Sequence, residues 1–305
     1  MEQAYEFIPT FDNPKYYIDG YNVNDFMRGV RELLAPKSQL YISTLEAMGY
    51  GETWEALIPK SLEFVNYGRR QLIFRVILAT KDSERVTFIA SIGQKPEFAE
   101  LVKEEYENLT KLYSNFPKLT LKMYSFNEIE VSGIGKFSAF TVEDQNMCRC
   151  IYRDRRRSDS KWGIYNPEPY YHLEEFPEYL QRETMLLCIA NLVACYLHNE
   201  GLGIGHTRIS GSDYILLKEF RYKNKQPKEA TKSLRENWRL SAARKLIKIP
   251  FEEYLDLIRS EFLIKTTLKS ESVLNGKIKI NHKSTMAFDS QIIEEGIKLG
   301  LNGWK

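Results

Sequence analysis

Between residues 178 and 198 the chain leaves a helix no polar face. Met185, Leu186, Leu187, Ile189, Leu192, Val193, Tyr196 and Leu197 place apolar side chains nearly all the way round the helical projection. A helix laid on a surface keeps one solvated side, so a helix of this kind belongs at the centre of a domain. At 305 residues the chain is long enough to enclose it, either as one large domain or as two modest ones.

The period of the pattern changes along the chain and divides it in three. Residues 1–60 are expected to form a helical N-terminal extension. Its helix 24–34 puts Phe26, Val30, Leu33 and Leu34 on one face, with Asn24 or Asp25 as cap and Pro36 as stop, and a second helix follows over 39–56. Residues 61–152 read as a strand-rich unit. Leu72–Ala79 and Val86–Ile92 are hairpin partners across the turn residues Lys81, Asp82 and Ser83. A helix opens at Pro96 and carries Phe98, Leu101, Val102, Leu109, Leu112, Tyr113 and Phe116 at helical spacing until Pro117 ends it. Short strands over 120–124 and 128–131 and a longer one over 137–142 complete the unit. Residues 153–170, rich in arginine and loop formers, form the boundary. Residues 153–305 read as mainly helical, with further helices over 228–248, 250–263 and 290–299. Strands around one helix, then helices, is an α+β order with segregated layers.

Composition narrows the function classes. A net charge of +2 gives no whole-chain attraction to nucleic acid or membrane. No apolar run is long enough to span a bilayer and the first residues lack a signal pattern, so a cytoplasmic protein without membrane contact is expected. Four cysteines, Cys148, Cys150, Cys188 and Cys195, form neither a disulfide framework nor a zinc-ligand spacing, and read as ordinary thiols.

After the central helix come Asn199-Glu200-Gly201 and then His206-Thr207-Arg208-Ile209-Ser210-Gly211-Ser212-Asp213 before the apolar Tyr214–Leu217. An apolar helix, a glycine turn, a polar loop opened by His and an apolar run resemble the catalytic loop of protein kinases and small-molecule phosphotransferases. The resemblance covers about 62–217 and implies a two-lobed fold with a small antiparallel sheet and a helical lobe. It also implies roles. His206 matches the family histidine, Arg208 stands where the catalytic Asp belongs, and Asp213 stands at the Mg²⁺-binding Asn. Asp213 retains oxygens that suit a hard cation, whereas the Arg208 guanidinium cannot serve as a base at neutral pH. The strand lysine that grips nucleotide phosphates is replaced by Ala90 or Ser91, and Glu105 is its candidate helix partner. No Asp-Phe-Gly follows, since Lys218-Glu219-Phe220-Arg221 comes too early with the wrong acid, and Gly68 stands alone where a glycine loop is needed. The pattern is that of a degenerate, pseudokinase-like protein serving as a binding or regulatory module. An atypical phosphotransferase or nucleotide-binding enzyme that uses Asp213 with ATP and Mg²⁺ is the alternative.

A second alternative is a metal-dependent nuclease or nucleic-acid-binding protein. Tyr17-Ile18-Asp19-Gly20-Tyr21-Asn22 resembles the opening of NYN/PIN-type ribonucleases, although the strand–helix alternation that fold requires does not continue. Lys228, Lys232, Arg235 and Arg239 fall at helical spacing and form a basic stripe, with Leu234, Trp238, Ala242 and Leu246 off it. Such a stripe suits an acidic protein surface or a nucleic-acid backbone, and Arg153, Arg155, Arg156 and Arg157 are candidates to extend it. No base-reading signature accompanies it.

Overall fold

Alternation marks one central strand of the first sheet. Along Gln71–Ala79, Leu72, Phe74, Val76 and Leu78 are wholly buried while the residues between them are half-buried, the period-2 signature of a strand. In this computed structural model the described residues are 6–8, 17–18, 21–67, 70–131, 133–144, 148–151, 170–172, 176–205, 214–217, 220–267, 271–274, 277–280 and 289–303. The chain divides into two compact units, Met1–Thr110 with Leu121–Gln145 and Arg156–Glu168, and Lys111–Thr120 with Asn146–Arg155 and Pro169–Lys305.

The first unit runs β1 (Glu6–Ile8), β2 (Tyr17–Ile18), β3 (Tyr21–Asn22), α1 (Val23–Leu34), α2 (Gln39–Ala47), β4 (Ile58–Tyr67), β5 (Gln71–Ala79), β6 (Arg85–Gly93), α3 (Ala99–Asn115, which runs on past the unit at Thr110), β7 (Met123–Val131) and β8 (Gly135–Glu143). Its sheet has the order β1-β4-β5-β6-β8-β7; five strands are antiparallel and the short β1 adds in parallel to β4. One face carries Phe74, Val76, Phe88, Ala90, Phe137 and Ala139 in a single core with Val30, Leu33 and Leu34 of α1 and Leu40, Tyr41 and Leu45 of α2. The helices of the leading sixty residues are thus part of the sheet's core. Ser38 caps α2 by accepting from the Tyr41 amide at 3.2 Å, and the buried Thr44 and Thr141 hydroxyls bond across the layers at 2.7 Å. The opposite face receives α3, whose Tyr106 ring lies 6.0 Å from that of Phe140.

The second unit holds β9 (Cys148–Ile151), β10 (Tyr170–His172), α4 (Glu178–His198), β11 (Leu202–Ile204), β12 (Tyr214–Leu216), α5 (Pro227–Asn237), β13 (Trp238–Leu240), β14 (Leu246–Lys248), α6 (Phe251–Thr267), β15 (Glu271–Leu274), β16 (Lys277–Ile280) and α7 (Ser290–Leu301). As its sequence requires, α4 is enclosed, with Leu180 and an unbroken run from Leu186 to Tyr196 buried. Glycine lets α7 approach it closely: a Cβ on Gly296 would lie 2.7 Å from the Ile189 Cβ, and one on Gly300 would lie 2.6 Å from that of Val193. Tyr254 of α6 stacks on Tyr196 at 5.0 Å. Cys188 and Cys195 are buried free thiols, and burial pushes the Cys195 thiol far above its usual range.

Four local expectations change. The strand β4 was not anticipated. The expected pair of strands over 120–131 is one strand, β7. The helix expected over 39–56 stops at Ala47, because Gly49 and Gly51 adopt positive φ of 96° and 48°, and a 3₁₀ turn follows. The helix expected over 228–248 stops at Asn237. Asn237 turns its Nδ2 onto the Ser233 carbonyl at 2.8 Å, and Trp238–Leu240 pair instead with β12. Burial of the Trp238 side chain, 1% exposed, outweighs the helical period of the charges around it.

Candidate functional site

Helix α5 starts with Pro227 at its first position, where a missing N–H costs nothing. Ala230, Ser233, Leu234 and Asn237 form its buried face. The spacing that buries those residues leaves Lys228, Lys232 and Arg235 on the other side. Arg239 belongs to β13 and not to the helix, yet it joins them. The amide of Leu240 donates to the Leu119 carbonyl at 2.8 Å, and Thr120 bridges Leu240 in parallel. This tie brings the turn after α3, with Phe116 and Lys118, beside the end of α5.

The outcome is a cleft of about 650 Å³ within the second unit, lined by Phe116, Lys118, Lys228, Thr231, Lys232, Arg235, Glu236, Arg239 and Gly303. Five cations face one carboxylate there. Lys232 and Glu236 form an exposed pair at 3.8 Å, a contact water and salt readily loosen. Arg235 donates from Nε to Glu183 at 2.6 Å, with the side chains 28% and 10% exposed, and this fixes its guanidinium at the cleft wall. The Arg239 Nη1 donates to the Glu236 and Trp238 carbonyls at 2.7 and 2.9 Å. Lys118 and Lys228 have no ion-pair partner among the described residues. The Phe116 ring stacks on His198 at 4.4 Å.

The four residues of the basic stripe are therefore brought together, though three lie on a helix and one on a strand. Phe116 and Lys118 were missed, because only the tie between Leu119 and Leu240 puts them there and no local pattern signals it. His206, Arg208 and Asp213 lie outside the described residues, as do Asp19 and Arg153–Arg157.

Ser91 and Glu105 are both described, in the first unit, and do not bond to each other. Ser91 is 2% exposed on β6, and its Oγ has no hydrogen-bond partner among the described residues. Glu105, 5% exposed on α3, accepts from the Gln71 Nε2 at 3.0 Å. A neutral amide thus meets the carboxylate that a strand lysine would meet in the family pattern. Elsewhere on this sheet Arg75 donates to Asp144 at 2.7 Å and to Glu63 at 3.3 Å. Burial disfavours its charge, but the two carboxylates outweigh that and raise its pKa. Among the described residues no group of acidic, His and Cys side chains is arranged to hold a metal, and no helix is long and apolar enough to cross a membrane.

No family model and no curated protein sequence matches the chain. Among solved structures it is similar to a chain of WaaP in complex with acyl carrier protein, at 11% identity over 66% of this chain and 69% of that one, with a TM-score of 0.34. It is also similar to a chain of the complex of Neurospora crassa PAN2 (WD40-CS1) with PAN3 (pseudokinase and C-term), at 10% identity over 81% and 62% of the two chains, with a TM-score of 0.30. Likenesses of this size carry no argument about family; the architecture itself is α+β, with five antiparallel strands and the short parallel β1 in one unit's sheet and a mainly helical second unit.

Proposed function

We propose that the chain is a binding or regulatory module, kinase-like but without phosphoryl transfer, that engages a polyanionic partner through the cleft on α5. The convergence of Lys118, Lys228, Lys232, Arg235 and Arg239 on one cleft carries this reading. Like charges gathered at one place repel, and a bound anion relieves that repulsion while each ammonium or guanidinium keeps a hydrogen-bond acceptor. Ser91 and the Gln71–Glu105 pair support the second half of the proposal. Ser91 is a neutral residue at the place where the family pattern has its phosphate-gripping lysine, and Gln71 is an amide partner of Glu105.

A thermal-shift titration with inorganic tripolyphosphate tests it, because a ligand that binds the native state raises stability by mass action. The shift should be saturable and should vanish in Lys228→Glu with Lys232→Glu. Both lysines are exposed, Lys232 at 77%, so the double variant should melt like the parent in the absence of ligand. Loss of folding in that variant, or an unchanged shift, would contradict the proposal. A shift with ATP and Mg²⁺ that disappears in Asp213→Ala but survives the double reversal would instead favour an enzyme that uses Asp213.

A further inference from the structure

We infer that the ligand of this cleft is a nucleoside polyphosphate, with its phosphates on the cations and its base on Phe116. The inference rests on the polyanion reading above and specifies the ligand within it. Size comes first. The cleft, at about 650 Å³, lies in the range of roughly 300–1,000 Å³ usual for sites that enclose a small molecule. A single strand of nucleic acid engages a groove over roughly 4–16 nucleotides, far more than this cleft holds.

The wall is the second reason. Four of the five cations, Lys228, Lys232, Arg235 and Arg239, come from α5 and the residues just after it. Phe116 comes from the turn that follows α3 and lines the same cleft with Lys118. A bare phosphate chain has no use for an aromatic ring among cations. A ligand with a charged end and a planar end uses both, since every base offers a π-face to stack. The ring already has a stacking partner in His198 at 4.4 Å. A base on Phe116 would join a ring that already takes part in a stack. The two arginines suit the other end. Arg235 is held through Nε and has no other partner among the described residues, and a guanidinium offers its remaining nitrogens to phosphate oxygens in a fixed fork. Thr231 adds a hydroxyl that either donates or accepts.

Isothermal titration of the full chain in low salt with EDTA tests the inference, with ATP, inorganic tripolyphosphate and an adenylate 12-mer as probes. EDTA keeps any nucleotide held by a metal at Asp213 out of the measurement. ATP should bind with one site per chain and at least about tenfold more tightly than tripolyphosphate, the effect of one base–aromatic stack. In Phe116→Leu that advantage should disappear while tripolyphosphate affinity stays the same. Equal affinities for ATP and tripolyphosphate would overturn the nucleotide inference and leave the polyanion reading standing. Tighter binding of the 12-mer than of ATP would overturn it in favour of a nucleic-acid strand. Failure of every probe to bind would overturn both. Should Phe116→Leu not fold, the ratio of ATP to tripolyphosphate on the parent chain decides by itself.

Discussion

Arg235 has two duties, and a substitution there separates them. Its Nε donates to Glu183 at 2.6 Å, and the Glu183 side chain is only 10% exposed. Arg235→Ala leaves that carboxylate largely buried and without its cation. Breaking a fully buried pair in this way costs roughly 3–5 kcal/mol, and breaking an exposed pair costs roughly 0–1 kcal/mol. With Glu183 close to the buried limit and Arg235 at 28%, a loss of about 2 kcal/mol is expected. Glu183→Ala should cost less, about 1 kcal/mol, because the more exposed guanidinium recovers hydration. Arg235→Glu should exceed both, since it sets two carboxylates against each other. Urea unfolding followed by circular dichroism reads these costs as midpoint shifts at constant slope. The double variant Glu183→Ala with Arg235→Ala closes the cycle. If the single costs add to within about 0.5 kcal/mol, the pair does not couple and the reasoning fails. This is also why the charge reversals used to test binding fall on Lys228 and Lys232: a ligand lost in Arg235→Glu would not distinguish a site from a damaged fold.

Three other perturbations probe the second unit. A Cβ on Gly203 would overlap the buried Tyr254 ring, whose hydroxyl accepts from the Ile204 amide at 3.0 Å; Gly203→Ala should lower stability by roughly 1–3 kcal/mol, and an unchanged melting temperature would show that the ring moves aside freely. Both amide atoms of Asn191 are buried in α4 without a hydrogen-bond partner among the described residues, so Asn191→Leu should stabilise by about 1 kcal/mol in urea, and a destabilisation would mean that the amide has a partner in solution. The Arg259 hydrogen bond holds the Glu294 carboxyl below its ordinary 4.5, more strongly than burial raises it. Stability from a lowered carboxylate is fully present above 4.5 and is lost as pH falls through the folded value. The parent should therefore exceed Glu294→Gln by a constant margin above that pH, and the margin should close below it; a margin that widens in acid would contradict the assignment.

The elements that sequence made legible are those whose pattern is dictated by burial on one side or all round. The strands at 72–79 and 86–92 and the enclosed helix at 178–198 needed no tertiary information beyond the presence of a core. Boundaries failed where a long-range partner decided the matter. Trp238 reads as one more helical position until β12 supplies a strand to pair with, and then burial of its indole prevails. The leading helices read as an extension because nothing local reveals that Val30, Leu33 and Leu40 share the sheet's core. The basic stripe was legible as charge spacing, but its meaning was not. The cleft also needs the turn at Phe116 and Lys118, more than a hundred residues upstream and placed by backbone contacts to Leu240. The loop 206–213, which carries the resemblance to kinases, lies outside the described residues, and among them Glu105 accepts from Gln71.

Anion binding in the cleft is the central property to measure. The most direct measurement is the affinity for inorganic tripolyphosphate as a function of salt, for the parent and for Lys228→Glu with Lys232→Glu. Binding that displaces condensed or screening ions weakens steadily as salt rises. An anion site should give one saturable binding event per chain at low salt, progressive loss as salt is added, and no detectable binding by a double variant that folds and melts like the parent. Affinity that ignores salt, or a folded double variant that binds as tightly as the parent, would contradict it.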